Sequence, residues 1–166
     1  MKIYFLLLIT ILSLTTCTWP GEPPSYTSYK PVLLSRTSLE KSIVYHSPEG
    51  IKNPAKIYFK DNFIFISEDL KGVHIIDNTD PKNPVNKGYI NVPGCVDMAI
   101  KNNIMYVDNA TDLVAIDLST IQTSLKVTKR IKDAFPELSP PDGGSLPEKY
   151  QLRNRPENTV LVGWIR

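Results

Sequence analysis

Two cysteines and two histidines are the side chains of this 166-residue sequence best suited to chemistry, and their spacing leaves them little to do. Cys17, His46, His74 and Cys95 lie too far apart for any recognised zinc-ligand spacing. Cys95 stands between Gly94 and Val96, on the way into an apolar segment, with no histidine placed to activate it. A buried, inert thiol is expected there rather than a nucleophile. Gly143-Gly144-Ser145 sets a serine after glycines, but this is not the G-x-S-x-G elbow and no histidine follows it, so it reads as loop. Phosphate-cradling and dinucleotide fingerprints are absent from the sequence. His74 sits within a mostly apolar run and reads as a core or interface histidine, whereas His46, beside Ser47-Pro48, reads as exposed. The expectation is a chain with no catalytic residues, no cofactor and no metal site.

Asp77 and Asp117 carry a sharper possibility. They end two similar apolar runs, Val73-His74-Ile75-Ile76-Asp77 and Leu113-Val114-Ala115-Ile116-Asp117. Carboxylates repeated at equivalent positions could form a calcium ring, but calcium takes six to eight oxygens from several groups close together. Each aspartate also precedes a turn, where its side chain can accept hydrogen bonds from backbone two residues on. Turn capping is the preferred reading.

The elements that would position these residues come from an internal repeat. Ile57-Tyr58-Phe59-Lys60-Asp61-Asn62-Phe63-Ile64-Phe65-Ile66-Ser67 aligns with Met98-Ala99-Ile100-Lys101-Asn102-Asn103-Ile104-Met105-Tyr106-Val107-Asp108 at a spacing of 41, and Asp77 with Asp117 at 40. Such a period suits four-stranded propeller blades or helical arrays. The segments are short, β-branched or aromatic, and bounded by turn residues, and none has helical periodicity, which favours strands. Strands are expected near 55–60, 62–67, 72–77 and 86–92, and again near 97–101, 103–108, 112–117 and 124–131. Asp61-Asn62 and Asn102-Asn103 suit tight hairpins that need positive φ. Leu39-Glu40-Lys41 after Thr37-Ser38 suggests one capped helical turn.

Val73-His74-Ile75-Ile76-Asp77, followed by Asn78-Thr79-Asp80-Pro81-Lys82-Asn83-Pro84, resembles the LVIVD repeat of bacterial β-propeller proteins. Leu113 to Asp117 matches the strand of that motif, while Leu118-Ser119-Thr120-Ile121 lacks its two prolines. The resemblance spans roughly residues 50–131. It implies an all-β, propeller-like fold and brings no catalytic residues. Leu39 to Ile43 and Val160 to Trp164 resemble flanks of such lipoproteins from Bacteroidetes-like bacteria.

The N-terminus has the form of an export signal. Lys2 precedes an apolar run from Phe5 to Leu14, broken only by Thr10 and Ser13. That matches the charged and apolar regions of a secretory signal and is short of the roughly twenty residues of a membrane span. Leu14-Thr15-Thr16-Cys17 resembles the lipobox of bacterial lipoproteins, with Thr16 where glycine, alanine or serine is usual. In that family the cysteine is lipidated and becomes the first residue of the mature chain. Cys17 is therefore the expected lipidation site, which leaves Cys95 without a disulfide partner. An ordinary signal cut elsewhere, or an uncleaved anchor, are the competing readings. Trp19-Pro20 fits an ordinary cleavage site poorly.

The expected organisation is a signal peptide at 1–16, a lipid-anchored proline-rich tether at 17–36 and a helical turn with lead-in at 37–54. A first blade at 55–92 and a second at 93–132 precede a loop with the start of another strand at 133–166. Since propellers close with four to eight blades, two blades read as an incomplete ring. The strand ending at Trp164-Ile165-Arg166 should then present an open edge, and copies could associate as homo-oligomers through such edges. Net charge is +2 with dispersed basic residues. The nearest cluster, Lys126, Lys129, Arg130 and Lys132, alternates like a solvated strand face, and no nucleic-acid partner is expected. The resulting functional expectation is a non-enzymatic binding or scaffold protein of the cell envelope. It would be held by lipid on Cys17, most simply in the outer membrane, with a protein or glycan partner. The alternatives are a fragment of an envelope enzyme whose catalytic blades are missing, and a truncated product without function.

Overall fold

The computed structural model describes residues 25–120 and 124–166. Among the described residues the fold is all-β apart from one short helix and one 3-10 turn, and the strands form three antiparallel sheets, none of them closed. Strand β1 (Lys30–Ser35) leads into helix α1 (Arg36–Glu40) and β2 (Val44–His46). Then come β3 (Pro54–Lys60), β4 (Phe63–Glu68), β5 (Gly72–Asp77) and β6 (Val85–Asn91). The second unit holds β7 (Met98–Lys101), β8 (Ile104–Asn109), β9 (Asp112–Asp117) and β10 (Lys126–Ile131), and β11 (Thr159–Ile165) ends the chain.

Each expected strand of the repeat lies within two residues of the observed one at either end. Sheet order is β2-β6-β5-β4-β3 in the first unit and β10-β9-β8-β7 in the second. The first unit therefore has five strands rather than four, because β2 adds antiparallel to the outer edge of β6.

The hairpins explain both the repeat and its slip. Asp61 and Asn102 adopt φ of 52° and 53° in two-residue turns closed by Lys60–Phe63 and Lys101–Ile104. Asp and Asn tolerate this left-handed conformation better than most residues. Leu70 and Ala110 repeat the conformation at the next turn, with φ of 57° and 58°. There Glu68 pairs with Gly72 across three residues, whereas Asn109 pairs with Asp112 across two. One residue fewer in that turn reduces the spacing from 41 to 40.

Residues alternate between the two faces of a strand, and directly paired residues share a face. In the first sheet Phe65, Val73, Ile75 and Ile90 point one way, joined by Tyr58 and Phe63. They pack on Met98, Ile100, Met105, Val107, Val114 and Ile116 of the second sheet, forming the main core with Cys95 and Ile43. Burial of such side chains contributes roughly 1.5–3 kcal/mol each. Tyr58 also donates its hydroxyl to the Ile100 carbonyl at 3.0 Å across this interface.

Two expectations change at the termini of the described chain. Residues 30–35, assigned to the tether, form β1, which pairs with β11 from Lys30–Ile165 to Ser35–Thr159. The edge of β11 expected to be open is thus covered by a strand from the other end of the sequence. Alternating Val32 and Leu34 on β1 find a second core here, with Leu39, Ala110, Val160 and Val162. Ser35, not Thr37 or Ser38, caps α1, its side chain accepting from the Ser38 N–H.

Candidate functional site

Asp77 and Asp117 act as turn caps. Asp77 Oδ1 accepts from the N–H of Thr79 at 3.0 Å and from its hydroxyl at 2.7 Å, and Asp117 Oδ1 from the N–H of Ser119 at 2.8 Å. These bonds hold both carboxyls below the usual aspartate range. Cys95 is fully buried, and burial pushes its thiol well above the ordinary range. Ser145 lies in a loop stitched to the start of the described chain: its N–H donates to the Ser25 carbonyl, and its carbonyl accepts from Thr27. Beside it Asp142 accepts from Thr27 and Ser28, which draws its carboxyl down to about 2. Cys17 lies outside the described residues.

The polar chemistry of the fold collects at one end of both sheets, at the β4–β5 and β8–β9 turns. In the first sheet Glu68, His74 and Tyr89 are buried. Glu68 Oε2 is 2.9 Å from His74 Nε2, Glu68 Oε1 accepts from Lys71 at 3.1 Å, and the Tyr89 ring lies 4.7 Å from the imidazole. Burial raises the Glu68 carboxyl, but its bonds to His74 and Lys71 outweigh that and hold it below its ordinary value. Residues 47–53 cross over this group, anchored where Asn86 donates to the Glu49 carbonyl and Asp69 to that of Asn53. That crossover accounts for the burial of His74 on a face that is open at Ile57 and Phe59 of β3.

In the second sheet the corresponding positions hold a different network. Asn109 stands for Glu68, Val114 for His74 and Arg130 for Tyr89, the last two pairs facing one another across the same ladder position. Arg130 donates to Asn109 at 2.9 Å and to Asp112 at 2.8 Å, and Arg36 reaches both Asp112 oxygens at 2.8 Å. Burial raises the Asp112 carboxyl, yet the two guanidinium groups hold it below its normal range. Arg130, expected on a solvated face, instead turns inward, while Lys126 and Lys129 remain exposed.

Between the turn end of the first sheet, the crossover and the β1–β11 sheet lies a groove of about 750 Å³. His46, Asp69, Lys71, Tyr89, Asn91 and Trp164 give it aromatic walls with polar groups between them. Burial, then the charges of Glu68 and Glu49, push the Tyr89 hydroxyl upward. The arrangement suits binding of a polar ligand that stacks on aromatic faces. A second groove, about 560 Å³ and more apolar, lies on the far face of the second sheet, between Ala99, Tyr106 and Leu113 and the segment from Phe135 to Ser139.

Sequence reading did not single out Glu68, Arg36 or Asp112, and placed Arg130 on a solvated face. The available signal was the repeat itself: polar residues 68 and 109 fall in register just before two turns, and 89 and 130 fall in register on the following outer strands. No family model, no curated protein and no solved structure matches the chain.

Proposed function

We propose that this protein is a lipid-anchored binding or scaffold protein of the cell envelope, non-enzymatic, with its sheets built as LVIVD-type propeller blades. The observation that carries the reading is Leu14-Thr15-Thr16-Cys17 closing a short apolar export signal. Two or more acyl chains on Cys17 would make attachment effectively permanent, since each buried methylene contributes about 0.8 kcal/mol and a single chain anchors only marginally. Residues 17–29 separate the anchor from β1 in sequence. The groove beside Trp164 and Tyr89 supports the binding role, presented on a frame whose ends are tied by β1 and β11.

The deciding experiment is intact-mass measurement of the protein extracted in detergent from its native envelope, beside the variant Cys17→Ser. A mature chain beginning at Cys17 and carrying acyl groups is expected, with C17S left uncut or released. Identical maturation and membrane partitioning of C17S would overturn the proposal.

A further inference from the structure

The interface between the two large sheets is directional, and each chain leaves one unused copy of either side. On the second sheet, Met98, Ile100, Met105 and Val107 form the face buried against the first. At the 41-residue spacing their counterparts are Ile57, Phe59, Ile64 and Ile66. These four share one face of the first sheet, through the pairs Ile57–Ile66 and Phe59–Ile64. That face points away from the second sheet, and Ile57 and Phe59 are 61% and 65% exposed.

The reverse holds for the opposite faces. Tyr58, Phe63 and Phe65 pack on the second sheet, while their counterparts Ala99, Ile104 and Tyr106 belong to the other side of the repeat. Ala99 and Tyr106 line the apolar groove of about 560 Å³ on the far face. Its walls are completed by Val96, Met98, Leu113 and Phe135. The protein thus carries an exposed apolar ridge and an apolar hollow, equivalent by repeat to two surfaces that already bind each other inside the same chain.

We propose that the occupant of the Ile57–Phe59 ridge is a second copy of this chain, whose Ala99–Tyr106 groove receives it head to tail. The crossover at residues 47–53 passes over the Glu68–His74–Tyr89 end of the ridge face, which leaves Ile57 and Phe59 open, and the segment from Phe135 to Ser139 walls the groove beside Ala99 and Tyr106. The proposed contact sets β3 and β4 of one copy against β7 and β8 of the next. The same pair of inner strands, β3 and β7, touches within the chain. Removing exposed isoleucine and phenylalanine from water supplies the driving force. A heterologous contact of this kind generates a ring where the rotation closes and a filament where it does not. The inference stands apart from lipidation, because it rests on the repeat register and the two faces alone.

The test is cysteine cross-linking of the full chain in detergent, with Phe59→Cys and Tyr106→Cys made separately and together. Mixing the two single variants should give a cross-linked dimer, and the double variant a ladder of multiples of the monomer mass. Each single variant alone, and the unsubstituted chain as control for Cys17, should stay at background. Adding Phe59→Asp to the Y106C partner should leave cross-linking with F59C intact, whereas Ala99→Arg in that partner should reduce it at least tenfold. A circular dichroism spectrum unchanged by A99R would show that folding is retained. Equal cross-linking of F59C with itself, no cross-link in the mixture, or cross-linking only to a different protein would each overturn the proposal.

Discussion

One nitrogen of the Arg36 guanidinium lies 2.8 Å from both carboxylate oxygens of Asp112, joining residues 76 apart in sequence. Arg36 opens α1 just after β1, and Asp112 opens β9, so the pair fastens the small β1–β11 sheet to the second large sheet. Arg130 donates to the same carboxylate from the other side, and the Asp112 side chain is wholly buried. Asp112→Ala would leave the Arg130 guanidinium, nearly buried, facing the partly exposed one of Arg36 with no carboxylate between them. Breaking a buried pair by removing one partner costs about 3–5 kcal/mol. Urea denaturation should show that loss for D112A, and a clearly smaller one for Arg36→Ala, whose side chain reaches solvent.

The acid limb of stability should follow from the same carboxylate. Asp112 is held below its ordinary value in the folded protein, as is Glu68. Unfolded carboxyls titrate near pH ~4. The stabilisation is therefore complete above that pH and is lost as pH falls through the lower folded-state values. Asp108 works in the opposite sense: burial raises its carboxyl, so its contribution is lost as pH rises through the raised value. Thermal melts between pH 2 and 7 should show a steep acid limb, shallower in Asp112→Asn than in the parent.

Glu68 and His74 should behave as a coupled unit. In the second sheet the corresponding residues are Asn109 and Val114, so an apolar residue at the histidine position is compatible with this strand geometry. His74→Val alone strips Glu68 of one buried partner and should cost about 1–3 kcal/mol. The double variant Glu68→Gln, His74→Val should lose less than the sum of the two single variants. A double-mutant cycle would read the coupling as about 0.5–3 kcal/mol. Strict additivity would show that the two side chains act independently.

Backbone geometry should separate two glycine-like positions. Gly94 has φ of 78°, and a Cβ there would fall 2.8 Å from the backbone of Ala110. Gly94→Ala therefore meets both a steric clash and an unfavourable left-handed conformation, the latter alone roughly 1–2 kcal/mol. Asn102 has φ of 53° in an exposed two-residue turn. Asn102→Gly should be neutral or stabilising by up to about 1 kcal/mol, while Asn102→Val should destabilise. Chemical denaturation of the three variants checks the order.

Cys95 should resist thiol reagents in the folded protein. It is fully buried in the core between the two large sheets, and its thiol is raised by burial and then by Asp108, Asp97 and Asp69. Labelling at neutral pH should be slow in buffer and fast in denaturant, a contrast of at least a hundredfold by quenched-flow or mass readout. Rapid native labelling would mean that the turn end opens readily.

The sequence by itself determined the strands of the repeat, because β-branched and aromatic runs between turn residues are local signals that need no partner. It also determined the caps at Asp77 and Asp117 and the positive φ at Asp61 and Asn102, whose bonds and dihedrals span only a few residues. Only the tertiary structure decided the rest. β1 reads as the end of a proline-rich tether because its pairing partner lies about 130 residues away. Arg130 reads as part of an exposed basic stripe because nothing local indicates that Asp112 and Asn109 wait on the neighbouring strands. The five-stranded first sheet, the crossover that buries His74, and the division of each sheet into a packed and an open face depend on contacts between distant segments. A periodic pattern specifies that a face is apolar; which surface covers it is settled by the packing of whole sheets.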